Sequence, residues 1–362
     1  MPSIPGELIL QIIDCLIPST SRKIYPRSDL VTQTLLSLTL ACKLTHHPAR
    51  RLLFQHCLYI DSRERLDQLL EQSGYFRGNS SITTNDQAQQ CPQIRAYSLY
   101  LAPFPPDQLE DAHTVRHVER LLSQVGATLR NLIINIPLRS LYPEDDVQGL
   151  RVTLRAAFAH LPALEDFCSV QDELYLKSLP QDPEAGEMIE EPPVWPTWPR
   201  LRRLALYNAC MDGGFVECLL HCSSHLTHVV LTRPDCYMDE ALPSGVADRL
   251  PWPGLQRILV VNTREGHIRD ARNRDDYLPA ALGQVSFWSR LHLAQQGTRQ
   301  IDGFGEGMGG EALIACADVP ISSGQEGGGD DDIPLSQEWV CARAVEGTLW
   351  DCPGLPYTDQ YM

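Results

Sequence analysis

Residues 201–206, 226–231 and 255–260 read LRRLAL, LTHVVL and LQRILV. All three share one pattern: an apolar residue, two of any kind, a second apolar residue, one of any kind, and a third. The alternation in the last three positions is the period of a strand, in which successive side chains point to opposite faces. The pattern extends upstream to Ile94/Tyr97/Leu99 and Leu129/Leu132/Ile134, with a degenerate copy at Leu164/Phe167 whose third position is Ser169. Its first positions recur at intervals of 25 to 37 residues. Helical spacing fills several of the gaps: Val115–Gln124 carries Val118, Leu121 and Leu122, Val147–His160 follows, and Gly214–Cys222 carries Val216, Leu219 and Leu220.

One short strand and one helix per unit is the leucine-rich-repeat signature. A single unit cannot bury both of its apolar faces, so neighbours stack and cover each other. Between the apolar positions of each strand, side chains are expected to point outward. That places Tyr100, Asn135, Arg203, Tyr207, His228, Thr232 and Arg257 on one exposed surface. Tyr and Arg are frequent interface anchors, so this surface is the expected binding face for a target protein.

Working outward, an irregular array of such units is expected over residues 93–300. Residues 180–199 (PQDPEAGEMIEEPPVWPTWP) read as an acidic, proline-rich insertion within it. Residues 301–334 hold GFGEGMGGE and GQEGGGDDD and read as flexible and solvated. Residues 335–362, with Trp339 and Trp350, form a tail or cap. Upstream, polar residues 77–92 (RGNSSITTNDQAQQCP) read as a linker.

Residues 1–76 are expected to form a helix-rich module. Pro5 suits the first helical position, and Ile4, Leu8, Ile12 and Leu16 recur every four residues, with Ile9 and Ile13 widening the stripe. Pro18 ends this helix. A second is expected over Val31–Leu44, a third from Pro48, a strand at Cys57–Ile60 and a helix at Arg63–Glu71. The stretch IPGELILQIIDCL resembles the opening of an F-box: Pro5, Glu7, Leu8, Ile12 and Leu16 match its form. Leu35, Leu36, Leu38, Ala41, Cys42 and Lys43 resemble its second part, and Leu52 and Phe54 its close. The polar insertion between the two parts is similar to that in F-box-like proteins of filamentous fungi. The segment departs from the family at Ile4, where leucine is usual, and at Thr45–His47, where a tryptophan is common. The resemblance implies that Pro5, Leu8, Ile9, Ile12, Leu16, Leu35, Leu36 and Leu38 dock the Skp-type adaptor of a cullin–RING ubiquitin ligase. It also implies that the rest of the chain holds the protein to be ubiquitinated. The other readings are a helical cap on a repeat array and a protein-interaction scaffold with no ligase link.

The expected fold is therefore α/β: a small helical F-box-like module followed by an irregular leucine-rich-repeat-like solenoid. A net charge of −16 disfavours nucleic acid and anionic membrane surfaces as partners. Glu7 and the lack of basic residues in the first ten speak against a signal peptide, so a cytoplasmic or nuclear location is expected. The 12 cysteines then read as small buried hydrophobes. Gly305–Gly310 fits G-x-G-x-x-G without the strand–helix context a dinucleotide needs. Cys218, His221, Cys222, His225, His228 and Cys236 form the densest ligand-type cluster but contain no Cys-x-x-Cys pair. His46–His47 read as a helix end, and Asp330–Asp332 as a solvated charge run. No metal, cofactor or catalytic residue is expected, and the chain is not expected to be an enzyme.

Overall fold

A computed structural model describes residues 5–72, 95–177, 191–234, 242, 244–263, 287, 290, 291, 294, 295, 313–320 and 332–356. The chain divides into two units, residues 1–164 with 176–194 and 344–348, and residues 165–175 with 195–343 and 349–362.

In the first unit the apolar spacing produces α1 (Gly6–Asp14), α2 (Leu30–Ala41) and α3 (Lys43–His56). Pro5 is the N-cap of α1, one position before the expected first helical residue, and Glu7 lies in the first turn, where the helix dipole favours a carboxylate. Asp29 caps α2, accepting a hydrogen bond from Val31 N at 2.8 Å. Cys42 is fully extended (φ −162°, ψ 169°) and separates α2 from α3. The third helix begins at Lys43 and carries Pro48 within it, five residues upstream of the expected start. Then come β1 (Leu58–Ile60), α4 (Arg63–Gln72), β2 (Ser98–Leu101), α5 (Ala112–Val125), β3 (Asn131–Ile134) and α6 (Leu150–Ala159). The three strands are parallel, with Leu58 opposite Leu99 and Leu99 opposite Leu132.

The second unit contains β4 (Asp166–Ser169), β5 (Arg203–Tyr207), α7 (Gly213–His221), β6 (His228–Thr232), α8 (Ser244–Ala247), β7 (Arg257–Asn262), β8 (Ile314–Asp318), α9 (Asp332–Glu346) and β9 (Leu355–Pro356). Strands β4 to β8 are parallel, and β9 pairs antiparallel with β8.

The eight parallel strands and antiparallel β9 make one sheet in chain order, which corrects the expected fold. The α/β class stands, but the chain is not a small helical module followed by a repeat solenoid. Strand β1, inside the expected helical module, is itself hydrogen-bonded to β2. The strands are not half-buried ribbons either: β2, β3, β4 and β7 are buried at every residue, as strands of parallel sheets covered on both faces are.

Two further expectations change. Within 301–334, expected to be flexible, Ile314–Asp318 is a strand in register with β7; the glycine-rich surroundings mask a short apolar run. Within 180–199, Trp195 and Trp198 are core residues, packed edge-on against Phe215 and Phe167. The linker at 77–92, the glycine motif at 305–310 and Asp330–Asp331 lie outside the described residues. Among the described residues no helix is long and apolar enough to cross a membrane.

Candidate docking surface on the N-terminal helices

Helices α1, α2 and α3 close around Ile13, Ile17, Tyr25, Leu35, Ala49 and Leu52, with Ile9, Leu16, Val31, Leu38 and Leu53 packed against that core. One apolar stripe per helix suffices for this core, yet the sequence supplies more. Leu8 and Ile12 on α1, Leu30, Leu36 and Leu40 on α2, and Leu44 at the start of α3 stay exposed, Ile12 by 59% and Leu40 by 87%. These are six of the eleven exposed large apolar side chains among the described residues, concentrated in 37 consecutive positions. Exposed apolar groups gathered on one part of a surface make it a candidate interaction site. The Leu44 side chain lies 3.4 Å from where a Cβ at Gly6 would stand, so the starts of α1 and α3 adjoin. An Arg51–Asp14 ion pair at 2.6 Å also joins these helices.

Of the residues expected to dock an adaptor, Pro5, Leu8, Ile12 and Leu36 are exposed. Ile9, Leu16 and Leu38 are half-buried against the core. Leu35 is fully buried and is corrected to a core residue: it lies on the inner stripe of α2, one position before exposed Leu36. Leu30, Leu40 and Leu44 were not expected at this surface; their signal was an apolar residue off the core stripe.

Two polar groups shape the surroundings. His46 Nδ1 lies 2.8 Å from Thr39 O, inside α3 and against the last turn of α2. Cys42 Sγ is 3.5 Å from Thr45 Oγ1. That hydroxyl, with the N–H groups of Thr45 and Leu44, holds the exposed Cys42 thiol below its ordinary range.

The expected target face does not survive as a surface. Tyr100, Tyr207, Thr232 and Arg257 are buried, while Asn135, Arg203 and His228 are half-buried. Tyr100 stacks on Tyr59 with centroids 4.2 Å apart, and Asn135 Nδ2 donates to Tyr100 OH at 3.3 Å. Arg203 donates to both Asp166 oxygens at 2.6 and 2.7 Å. His228 meets Thr227 Oγ1 at 2.8 Å, and Arg257 donates to the carbonyl of Cys352.

At Arg257 the cover is the C-terminal segment. A Cβ at Gly354 would lie 2.9 Å from Ala315 Cβ and 3.1 Å from Leu259 Cδ1, on the face that carries Arg257. Burial, together with neighbouring Cys341 of α9, pushes the Cys168 thiol well up; Cys168 shares its face with Asp166.

The cysteine–histidine cluster assembles no ligand set among the described residues. Burial, and nearby Cys218, push Cys222 up to about 12, while His221 and His225 are exposed. Cys236 lies outside the described residues. One ligand-type group does form: Asp67, His113 and His117, whose ligand atoms lie within 4.8 Å of one another. Sequence reading missed it. The His-x-x-x-His spacing was the available signal, but Asp67 stands on a different helix.

No family model matches the sequence, and no curated protein matches it closely enough to count as a relative.

Proposed function

We propose that the chain is a substrate-recognition subunit of an SCF-type, cullin–RING ubiquitin ligase, and that α1–α3 dock the Skp-type adaptor. The observation that carries this reading is the excess of exposed leucine and isoleucine on helices whose own core is already filled. Leu8, Ile12, Leu36, Leu40 and Leu44 are the residues assigned to the contact. The rest of the chain presents the target protein, on surfaces other than the buried strand face.

Burying one such side chain contributes about 1.5–3 kcal/mol, and 1.4 kcal/mol is tenfold in affinity. A charge placed at the centre of the surface should therefore cost tenfold or more. The test is co-purification of the full chain with the adaptor, for the wild type and for Ile12→Asp. Because Ile12 is mostly exposed, this variant should keep its melting temperature while losing the adaptor. Failure of the folded wild-type chain to retain the adaptor would overturn the ligase reading and leave the alternative, a protein-interaction scaffold with no ligase link.

A further inference from the structure

We infer that Asp67 on α4 and His113 and His117 on α5 form a binding site for a divalent transition-metal cation of the zinc class. His113 and His117 are four residues apart, so they share one face of α5, and their ring centroids lie 4.0 Å apart. From α4, Asp67 reaches the same point: its Oδ1 is 2.6 Å from His117 Nδ1.

Local structure fixes this arrangement. Asp111 caps α5, accepting from His113 N at 3.0 Å and from Thr114 Oγ1 at 2.6 Å. That cap holds the first turn, and His113 with it, in place. His117 is buried on the second turn.

The donor set suits the cation. Imidazole with a carboxylate is ordinary chemistry for zinc and its neighbours, and two histidines at i, i+4 on one helix face are a recurring zinc geometry. Tetrahedral ligands at roughly 2.1 Å from a zinc ion stand roughly 3.4 Å apart. The spread of at most 4.8 Å therefore closes by side-chain rotation, without moving either helix.

Without a cation, Arg63 and the His117 ring nitrogen hold the Asp67 carboxylate. Arg63 Nε is 3.7 Å from Asp67 Oδ2, its NH2 is 3.3 Å from His113 Nδ1, and its NH1 is 2.8 Å from Asp111 Oδ2. A metal takes the place of the His117–Asp67 hydrogen bond and displaces the guanidinium from Asp67, while Arg63 keeps its bond to Asp111. Arg63 is half-exposed, so turning away from Asp67 leaves it in water. Three protein ligands leave at least one coordination position for water or an outside ligand. A cavity of about 830 Å3 adjoins the group through Arg63, Asp111 and Thr114. The bound ion would also tie α4 to α5.

The test is titration of the full chain, stripped with a chelator, by zinc(II) in a calorimeter and by cobalt(II) in visible absorption. The expected result is one ion per chain at this group, with a rise in melting temperature. His113→Ala, at an exposed position, should weaken binding at least tenfold while leaving the metal-free melting temperature unchanged. Arg63→Ala should tighten binding, because it removes the competing cation; a merely structural Arg63 would not do that. No stoichiometric binding by the folded wild type, or equal binding by His113→Ala and Asp67→Ala, would overturn the inference.

Discussion

Leu36 on α2 and Leu204 on β5 are the same residue type in equally apolar stretches, yet Leu36 is 42% exposed and Leu204 fully buried. The N-terminal helices and the β4–β8 strands differ in how many faces the fold can cover. A helix shows its side chains all round its axis, and a three-helix core covers one stripe of each. A strand shows two faces, and in β5 to β7 both are covered from Leu204, Val229 and Ile258 onward. An apolar surplus therefore remains visible on the helices and disappears in the sheet. It follows that single substitutions should act on binding in the first region and on stability in the second.

The severest break in this contrast is Arg203→Ala. Were Arg203 an exposed anchor, the change would cost little. Instead its guanidinium holds Asp166, which is buried beneath it. Removing one partner of a buried pair leaves an uncompensated charge and costs about 3–5 kcal/mol. Chemical denaturation would measure it, and Asp166→Asn in the same chain should restore part of the loss. A cost within about 0.5 kcal/mol, typical of surface sites, would return Arg203 to the surface.

Next in size is a pair within the helices. Leu35→Ala removes a core side chain and should cost about 2–5 kcal/mol. Leu40→Ala, five positions on and 87% exposed, should stay within about 0.5 kcal/mol. Equal costs would mean that Leu40 is covered within the chain, and the docking surface would shrink to α1 and Leu36.

Much of the fold was legible because it is written in short-range periodicity. The strands at Leu204, Val229 and Ile258 and the helix over Val115–Gln124 follow from spacing alone. What stayed hidden depends on distant segments. Arg257 was expected on an open face, but its cover comes from residues as far away as Cys352, with Gly354 close to neighbouring Leu259. Trp195 and Trp198 looked like part of an insertion, because the prolines around them carry a loop signal and the aromatic partners Phe215 and Phe167 are remote. The candidate docking surface was half legible. Leu8, Ile12 and Leu36 belong to the helical spacing of apolar residues, whereas sorting Leu35 from Leu36 requires knowing which stripe of α2 meets Ala49 and Leu52. The Asp67–His113–His117 group joins residues 50 positions apart through the packing of α4 on α5, which no local pattern encodes.

The finest test of the contrast is chemical. Cys42 is exposed, and hydrogen bonds from Thr45 and Leu44 hold its thiol down. Burial pushes Cys316 and Cys222 up to about 12, and Cys168 well up. The thiolate is the reactive form, so an alkylating reagent at neutral pH should label Cys42 well before these three. A lowered thiol is half-ionised at lower pH than an ordinary one, near 8.5. The Cys42 labelling rate should therefore level off earlier as pH rises, while the buried thiols react only after denaturation. Cys57 provides a control within the same region. It packs on the core of the helices, and burial raises it to about 11, so it should behave like the strand cysteines. Peptide-level mass spectrometry separates the five. Fast labelling of Cys57 would mean that the helices open as a unit, and their exposed leucines would then reflect loose packing rather than a docking face. Slow Cys57 and fast Cys42, with Cys42 protected once the adaptor is bound, would place the contact beside Leu40 and Leu44.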